Sequence, residues 1–487
     1  MKAAFLKEYR RYTREELIAL LGVGDELATE DRIKRLKAFG ILKTIRSSEA
    51  QSDWSDLLED DAVVVEAGST DATYYTVTFV GLVVVGGCVL KCFPKYLPDD
   101  AQPSQKLAQV LKVLEYYGSR EQMVDDFNDT STESQLNLLA VMRFLLRDYY
   151  ENGAYTKSQE LIENSGSGEI NWDKTINDTL GLLVDGRPHY VDLRTKRRLH
   201  DDRDFFKRLH ESVLTQFTRE LEDADLLTVL DIPGVDVSDE ALDSLGDRDY
   251  LLYRIEGELG TQFNTRKQLV LKALQAYLSK RATLDDMDGF ALFGSTSFNL
   301  VWQDVCCSVI GNQLATPISD LALPTPLKDG YSRTSTLASL IDKPQWTGID
   351  DAGSFTHASD KTLIPDLAAI LVVDGKHRLV ILDAKYHNIQ LHRDKRLSGQ
   401  PGIGDLTKQY LYQLAFQDFT RSHDITDVRN CFLMPTDNGE IVHLGHASLE
   451  MLSRLGLPDI QIKLLPAAEM YDLYLRGERM DISRLRL

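Results

Sequence analysis

Leu363-Ile-Pro-Asp-Leu-Ala-Ala-Ile-Leu-Val-Val-Asp-Gly-Lys-His-Arg-Leu-Val-Ile-Leu-Asp-Ala-Lys-Tyr386 decides how this chain is read. Leu367 to Val373 is one continuous apolar run and Leu379 to Leu382 is a second, with Asp374-Gly375-Lys376-His377 between them. An Asp-Gly pair between two apolar runs is a strong hairpin signal, because glycine takes positive φ at little cost. Neither run alternates with polar residues, so both faces of both strands are expected inside a sheet. Side chains on a strand point alternately to its two faces, so Asp383 and Lys385 share one face and Ala384 takes the other. Asp366 opens the first strand and Asp383 closes the second. A hairpin sets those two ends side by side.

Two carboxylates are hard oxygen ligands suited to Mg²⁺, which keeps several waters and accepts substrate phosphate oxygens. A metal there lowers the pKa of a bound water and stabilises the charge that builds during phosphodiester hydrolysis. Lys385 lies two residues beyond Asp383, placed to orient the attacking water or to neutralise developing negative charge. Opposite charge favours the charged form, so a lysine beside two carboxylates should stay protonated. Pro-Asp and Asp-x-Lys are each common. The information lies in their joint order around two apolar strands and a tight turn.

Pro365-Asp366 with Asp383-Ala-Lys385 resembles the PD-(D/E)xK nuclease superfamily, and Asp-Ala-Lys-Tyr is the form typical of McrC-like restriction subunits. Asp405-Leu-Thr-Lys-Gln-Tyr-Leu-Tyr-Gln-Leu-Ala-Phe416 is similar to the Gln/Tyr helix that follows the catalytic strand in that branch. Gln409 and Gln413 are four apart and share a helix face. The resemblance places Gln409 in the catalytic site, touching DNA phosphate or supporting the lysine; a polar stripe on an amphipathic helix is the alternative. Phe298-Asn-Leu-Val-Trp-Gln-Asp-Val-Cys306 resembles the helix that opens the nuclease core of LlaJI-type restriction endonucleases. That helix usually carries a glutamate beside the tryptophan, whereas here Trp302 is followed by Gln303 and Asp304. Either Asp304 substitutes as a third metal ligand, or Asp366 and Asp383 hold the metal alone. Gly168-Glu-Ile-Asn-Trp-Asp-Lys-Thr-Ile176 and Phe93-Pro-Lys-Tyr96 resemble further parts of the LlaJI and McrC groups.

The resemblance implies a Mg²⁺-dependent deoxyribonuclease, type II-like or McrBC-like, acting on double-stranded DNA in a restriction or anti-phage defence system. Such proteins work beside a separate McrB-like AAA+ GTPase or ATPase, and this chain has no Gly-x-x-x-x-Gly-Lys-Ser/Thr loop of its own. A partner motor is therefore expected, with self-association left open. Two other readings stand beside it: a non-cutting, nuclease-like DNA-binding subunit that regulates its motor, and an autonomous winged-helix regulator.

A length of 487 residues fits two to four domains. No stretch reaches the ~18 apolar residues of a membrane span, and Met-Lys-Ala-Ala-Phe-Leu-Lys-Glu8 lacks the apolar centre of a signal peptide. Five cysteines without zinc-type spacing point to a reduced, cytoplasmic protein. A net charge of −20 opposes DNA binding overall, but its distribution is uneven. Residues 1–46 hold eleven Lys/Arg against seven Asp/Glu, and 194–208 hold seven against three, while 220–258 carry thirteen carboxylates. Screening limits distant charge to about 8–10 Å, so a local basic face suffices for phosphate contact.

Thr13-Arg-Glu-Glu16 opens a helix with a capping box. A second helix over Thr29–Phe39 places Ile33, Leu36 and Phe39 near helical spacing, stops at Gly40, and leads into a strand at Ile41–Ile45. This order resembles a winged helix-turn-helix whose Arg32, Lys34, Arg35 and Lys37 suit DNA phosphates; a packing module with a solvated basic face is the alternative. Residues 1–100 are thus expected to be a winged-helix-like and β-rich DNA- or partner-binding domain, 101–285 a mainly helical middle domain, and 286–487 the PD-(D/E)xK nuclease domain. The fold class is α+β to α/β multidomain, ending in a mixed sheet flanked by helices.

Overall fold

The computed structural model describes residues 2–22, 26–46, 73–98, 103–121, 138–156, 159–166, 169–185, 187–199, 204–280, 290–351, 353–394 and 396–487. The expected domain boundaries at 100/101 and 285/286 and Gly168 of the Gly168–Ile176 stretch lie outside them. The protein is a mixed α/β chain in two compact units, one of Gln135–Ala291 and one of Lys2–Ser134 with Leu292–Leu487. Among the described residues no helix is long and apolar enough to cross a membrane.

The larger unit begins with β1 (Lys2–Lys7), β2 (Arg11–Tyr12), helices Arg14–Leu21 and Glu26–Ala38, β3 (Leu42–Arg46), β4 (Thr73–Val77), β5 (Val80–Val85) and β6 (Cys88–Phe93). The capping box forms as read: Glu16 N donates to Thr13 Oγ1 at 3.1 Å and Thr13 N to Glu16 Oε2 at 2.8 Å. Gly40, at φ 68°, ends the second helix. Strands β2, β4 and β3 pair antiparallel beside the two helices, the helix–helix–strand order expected.

The basic face of the second helix needs correction. Arg32 is 2% exposed, and its guanidinium donates to the carbonyls of Leu21 at 3.1 Å and Gly86 at 2.8 Å. Thr29, Arg32, Ile33 and Leu36 form one buried stripe at helical spacing, which sets Arg32 apart from the exposed Lys34 and Lys37. Charge alone grouped these residues; angle separates them. Arg35 is half-buried and paired with Asp31 at 2.7 Å, and Phe39 is exposed rather than packed. Arg32→Ala should therefore cost about 2–3 kcal/mol of stability by stranding two buried carbonyls and removing packing. It should leave the DNA affinity of the folded fraction unchanged; a urea titration beside an anisotropy measurement checks both.

The unit of Gln135–Ala291 contains helices Leu138–Asn152, Phe205–Asp223, Arg248–Leu259 and Thr265–Lys280. Five short strands, not expected from the sequence, lie between the first two of these helices. They are β7 (Gln159–Asn164), β8 (Glu169–Ile170), β9 (Gly181–Val184), β10 (Arg187–Tyr190) and β11 (Arg194–Leu199), in the orders β7-β11-β8 and β9-β10. β9 and β10 are almost wholly exposed, and β11 reads Arg-Thr-Lys-Arg-Arg-Leu. With nearly every residue of β9 and β10 exposed, these two strands show no alternation that hydrophobic periodicity could mark. Part of the acidic stretch is used internally: Glu258 accepts from Tyr155 Oη at 2.9 Å, and Glu240 pairs with Arg208.

The chain then returns to the larger unit. β12 (Phe290–Ser295) extends a sheet of order β1-β6-β5-β12. Gly81 (φ 141°) and Gly294 meet there back to back: a Cβ on Gly81 would stand 2.6 Å from Gly294 Cα. The helix Phe298–Ile310 follows, then an exposed hairpin of β13 (Gln345–Asp350) and β14 (Gly353–Ala358). β15 (Leu367–Val373), β16 (Lys376–Ala384), β17 (Asp427–Thr436), β18 (Val442–Ala447) and β19 (Ile460–Pro466) form a mixed sheet of order β15-β16-β17-β19-β18. β16, β17 and β19 run parallel, with antiparallel β15 and β18 at the edges.

The hairpin turns on Asp374 (φ 50°) and Gly375 (φ 73°), both in the left-handed region a tight two-residue turn demands. Burial is complete over Leu367–Ile370 and Leu379–Asp383 but fades toward the turn, so the expectation of two buried faces holds at the carboxylate end. One face of the hairpin, with Ala368, Ile370, Leu379 and Ile381, packs in a core with Tyr412, Phe416 and Phe419. Tyr412 lies on the helix Ile403–Ala415. Trp302, fully buried on the helix Phe298–Ile310, donates Nε1 to the Leu433 carbonyl of β17 at 3.1 Å.

Candidate active site

The register of the hairpin builds the site. Leu367 pairs with Leu382, so one step further Asp366 stands opposite Asp383. The Asp366 carboxylate is held at both oxygens: Oδ2 accepts from Ala384 N at 2.9 Å and Oδ1 from Gln303 Nε2 at 2.6 Å. Its backbone carbonyl accepts from Asn312 Nδ2 at 2.9 Å and Cys307 Sγ at 3.2 Å. The residue is thus gripped by the neighbouring strand and by the helix Phe298–Ile310 with its exit loop. Burial, then the adjacent Asp383, push the Asp366 carboxyl up to about 8. Two acids that share a buried site resist carrying two charges.

Lys385 continues the ladder past the end of β16, its N donating to Leu433 O at 2.9 Å. Its Nζ lies 3.1 Å from Asp383 Oδ2 and 2.7 Å from Asp405 Oδ1. Burial alone would lower the lysine, but the Coulombic pull of Asp383 and the contact with Asp405 outweigh it and hold the ammonium above the ordinary lysine value. The expectation of a charged lysine on the same face as Asp383 agrees with this geometry.

Asp366, Asp383 and Lys385 therefore come together, while the other predicted site residues lie elsewhere. Gln409 is fully buried and donates Nε2 to the Ile381 carbonyl at 2.8 Å; it braces the strand and faces no solvent-borne phosphate. Gln413 accepts from Asn430 Nδ2 at 2.6 Å. Asp304 is engaged by the hydroxyl of Tyr474. Among the described residues no group of three His, Cys, Asp or Glu side chains stands close enough to hold a metal. Gln303, where the resembled helix carries glutamate, is the residue that reaches Asp366.

Two contributors had no such role in the sequence reading. Asp405 sits in the first turn of the helix Ile403–Ala415, an acidic helix start that marks the helix but not its contact. Glu8 accepts from Tyr386 Oη at 2.5 Å and Lys95 N at 3.2 Å, while Lys95 Nζ lies 4.6 Å from the ring centroids of both Tyr9 and Tyr386. The Phe93-Pro-Lys-Tyr96 stretch thereby meets Tyr386, just beyond the end of β16.

The family model described as LlaJI restriction endonuclease matches residues 79–326 and 330–465. The Bacillus subtilis (strain 168) protein named type II restriction enzyme BsuMI component YdjA is 25% identical over 443 residues, 88% of this chain and 86% of that protein. Among solved structures, a half-complex of Thermococcus gammatolerans McrB AAA+ hexamers with bound McrC aligns over 98% of this chain and 100% of its own. It does so at 14% identity and a TM-score of 0.35. The McrBC complex of the same organism aligns over 62% and 85%, at 14% identity and a TM-score of 0.25.

Proposed function

The chain belongs to the LlaJI restriction endonuclease family, and from that premise we propose that it is the DNA-cutting subunit of a restriction system. Its C-terminal sheet would be a PD-(D/E)xK core, with Asp366, Asp383 and Lys385 as the catalytic set. The observation that carries this reading is the meeting of Asp366 with Asp383 and of Lys385 with Asp383 at 3.1 Å, on strands that the hairpin register aligns.

The donor set fits Mg²⁺. Asp366, half-buried, and Asp383, buried, are hard oxygen donors that face each other across the hairpin, with the Lys385 ammonium beside Asp383. Among the described residues no third acid joins the pair, and water and phosphate oxygens would complete the shell, as Mg²⁺ tolerates. When bound, the ion would activate a water and neutralise charge on the scissile phosphate. The protein's own residues do the rest. Asp366 and Asp383 would hold the ion, with Gln303 and the Ala384 amide orienting Asp366. The Lys385 ammonium would steer the attacking water and stabilise phosphate oxygens. Gln409 would keep the strand in place from the helix behind it.

Lys34 and Lys37, both exposed, and the half-buried Arg35 remain the proposed phosphate contacts of the N-terminal helix; Arg32 leaves that set. The Bacillus relative bears the name of a component, which supports a further subunit. By the McrC-like resemblance that subunit would be a separate AAA+ NTPase acting as the gate on cleavage.

Supercoiled plasmid with Mg²⁺ tests the reading, with wild type against Lys385→Ala, each with and without the AAA+ protein and nucleotide. Wild type should nick or linearise DNA, and Lys385→Ala should be at least about 10²-fold slower. DNA binding without cutting under every condition would replace this reading with the regulatory, non-cutting one.

A further inference from the structure

Asp405 lies nearer to the catalytic lysine than the lysine's own strand partner does. Its Oδ1 accepts from Lys385 Nζ at 2.7 Å, against 3.1 Å from that nitrogen to Asp383 Oδ2. Four residues on, on the same helix face, Gln409 donates to the Ile381 carbonyl at 2.8 Å. One face of the helix Ile403–Ala415 thus grips β16 and its extension twice, once by the backbone and once by the head of the lysine. We propose that Asp405 is a positioning residue for strand cleavage, fixing the Lys385 ammonium at the place from which it acts.

The need for such a residue is physical, and it rests on the nuclease reading above. A lysine head sits on a flexible four-carbon stem and makes point-charge contacts without the fixed fork of an arginine. Asp383 is a poor sole anchor, because its oxygens are also the proposed donors to the cation. Asp405 belongs to a separate element and can hold the ammonium while Asp383 is engaged. The contact is no loose surface pair: the side chains of Lys385 and Asp405 are 19% and 16% exposed. Exposed pairs contribute little, whereas partly buried, hydrogen-bonded ones fix geometry. Asp405 is also assigned to the lysine and not to the metal, since among the described residues no three acids cluster as a metal-holding group.

The test compares Asp405→Asn, Asp405→Glu, Lys385→Ala and the double variant Lys385→Ala/Asp405→Asn in the full chain, with the AAA+ partner present if cleavage requires it. Three quantities are measured: single-turnover cleavage at saturating Mg²⁺, Mn²⁺ affinity of the DNA-free protein by calorimetry, and DNA affinity. Asp405→Asn keeps the size of the side chain and should fold. It should cut about 10–10²-fold more slowly, the scale on which a small misplacement acts. Its Mn²⁺ and DNA affinities should stay within about twofold of wild type, and it should add nothing once Lys385 is alanine. Asp405→Glu should recover part of the rate. A tenfold weaker Mn²⁺ affinity would make Asp405 a metal ligand and overturn the proposal. So would an equal loss in the Lys385→Ala background, or no loss at all. A wild type that neither cuts nor binds Mn²⁺ would sink the nuclease reading with it, whereas a cutting wild type beside an equally active Asp405→Asn would sink this proposal alone.

Discussion

Asp383→Asn should abolish cleavage while leaving the fold and DNA binding in place. The substitution keeps size and shape at a residue 4% exposed and removes one charge. Asp383 stands in two relationships at once. It is one of the two carboxylates proposed to hold Mg²⁺, and its Oδ2 meets Lys385 Nζ at 3.1 Å. Losing a metal donor and an anchor of the lysine together should cost at least about 10³-fold in rate, or about 4 kcal/mol of transition-state stabilisation. The fold should tolerate the change, because the charge removed is one of two that burial sets against each other: Asp366 is pushed up to about 8 partly by Asp383 itself. Lys385 would still be paired with Asp405. DNA affinity measured without divalent metal should hold or rise, since a negative charge leaves the path of the phosphates. Calorimetric Mn²⁺ binding and plasmid nicking, run on one preparation, separate the steps. Metal binding intact with cleavage lost would move Asp383 from ligand to lysine anchor. Cleavage intact would remove the hairpin from the chemistry.

The reach of the sequence can be judged residue by residue. Asp374-Gly375 fixed the hairpin, because only a turn with two positive φ values suits that pair between apolar runs, and register then followed without further information. The facing carboxylates were legible for the same reason. Local chemistry also announced the helix at Arg14–Leu21, whose cap is written in Thr13 and Glu16. What escaped was decided by angle or by distance along the chain. Arg32 carries the same charge as Lys34, yet it lies on the buried stripe of its helix and spends its guanidinium on two carbonyls. Gln409 was expected in the catalytic site, yet it is fully buried and spends its amide on the Ile381 carbonyl of β16. The strands β9 and β10 and the hairpin β13–β14 are almost wholly exposed, so no alternation of buried and exposed positions marks them in the sequence. Asp405 and Glu8 belong to the site through contacts with residues 20 and 378 positions away, and no local periodicity reports such pairings.

Glu8→Leu should have the largest effect on stability, and pairing it with a second change separates folding from function. Glu8 is 3% exposed and accepts from Tyr386 Oη and from the Lys95 amide. Burial raises its carboxyl despite the pull of Lys95, and burial lowers the Lys95 ammonium despite the pull of Glu8. Desolvation therefore exceeds attraction at both ends, which marks a pair costly to break but cheap to replace as a whole. Glu8→Leu alone leaves Lys95 without its carboxylate and Tyr386 without its acceptor, and should cost about 3 kcal/mol, the low end for a broken buried pair because Lys95 is only half-buried. Glu8→Leu/Lys95→Met should regain most of that in a denaturant titration. Cleavage should not recover in step. Tyr386 directly follows Lys385, and in both variants its hydroxyl has lost the acceptor that ties this end of the strand to β1 and β6. A double variant that is stable yet still slow would show that the Glu8 contact holds the lysine's strand in its working position. A double variant that regains rate along with stability would confine Glu8 to the fold and leave the alignment of Lys385 to Asp383 and Asp405.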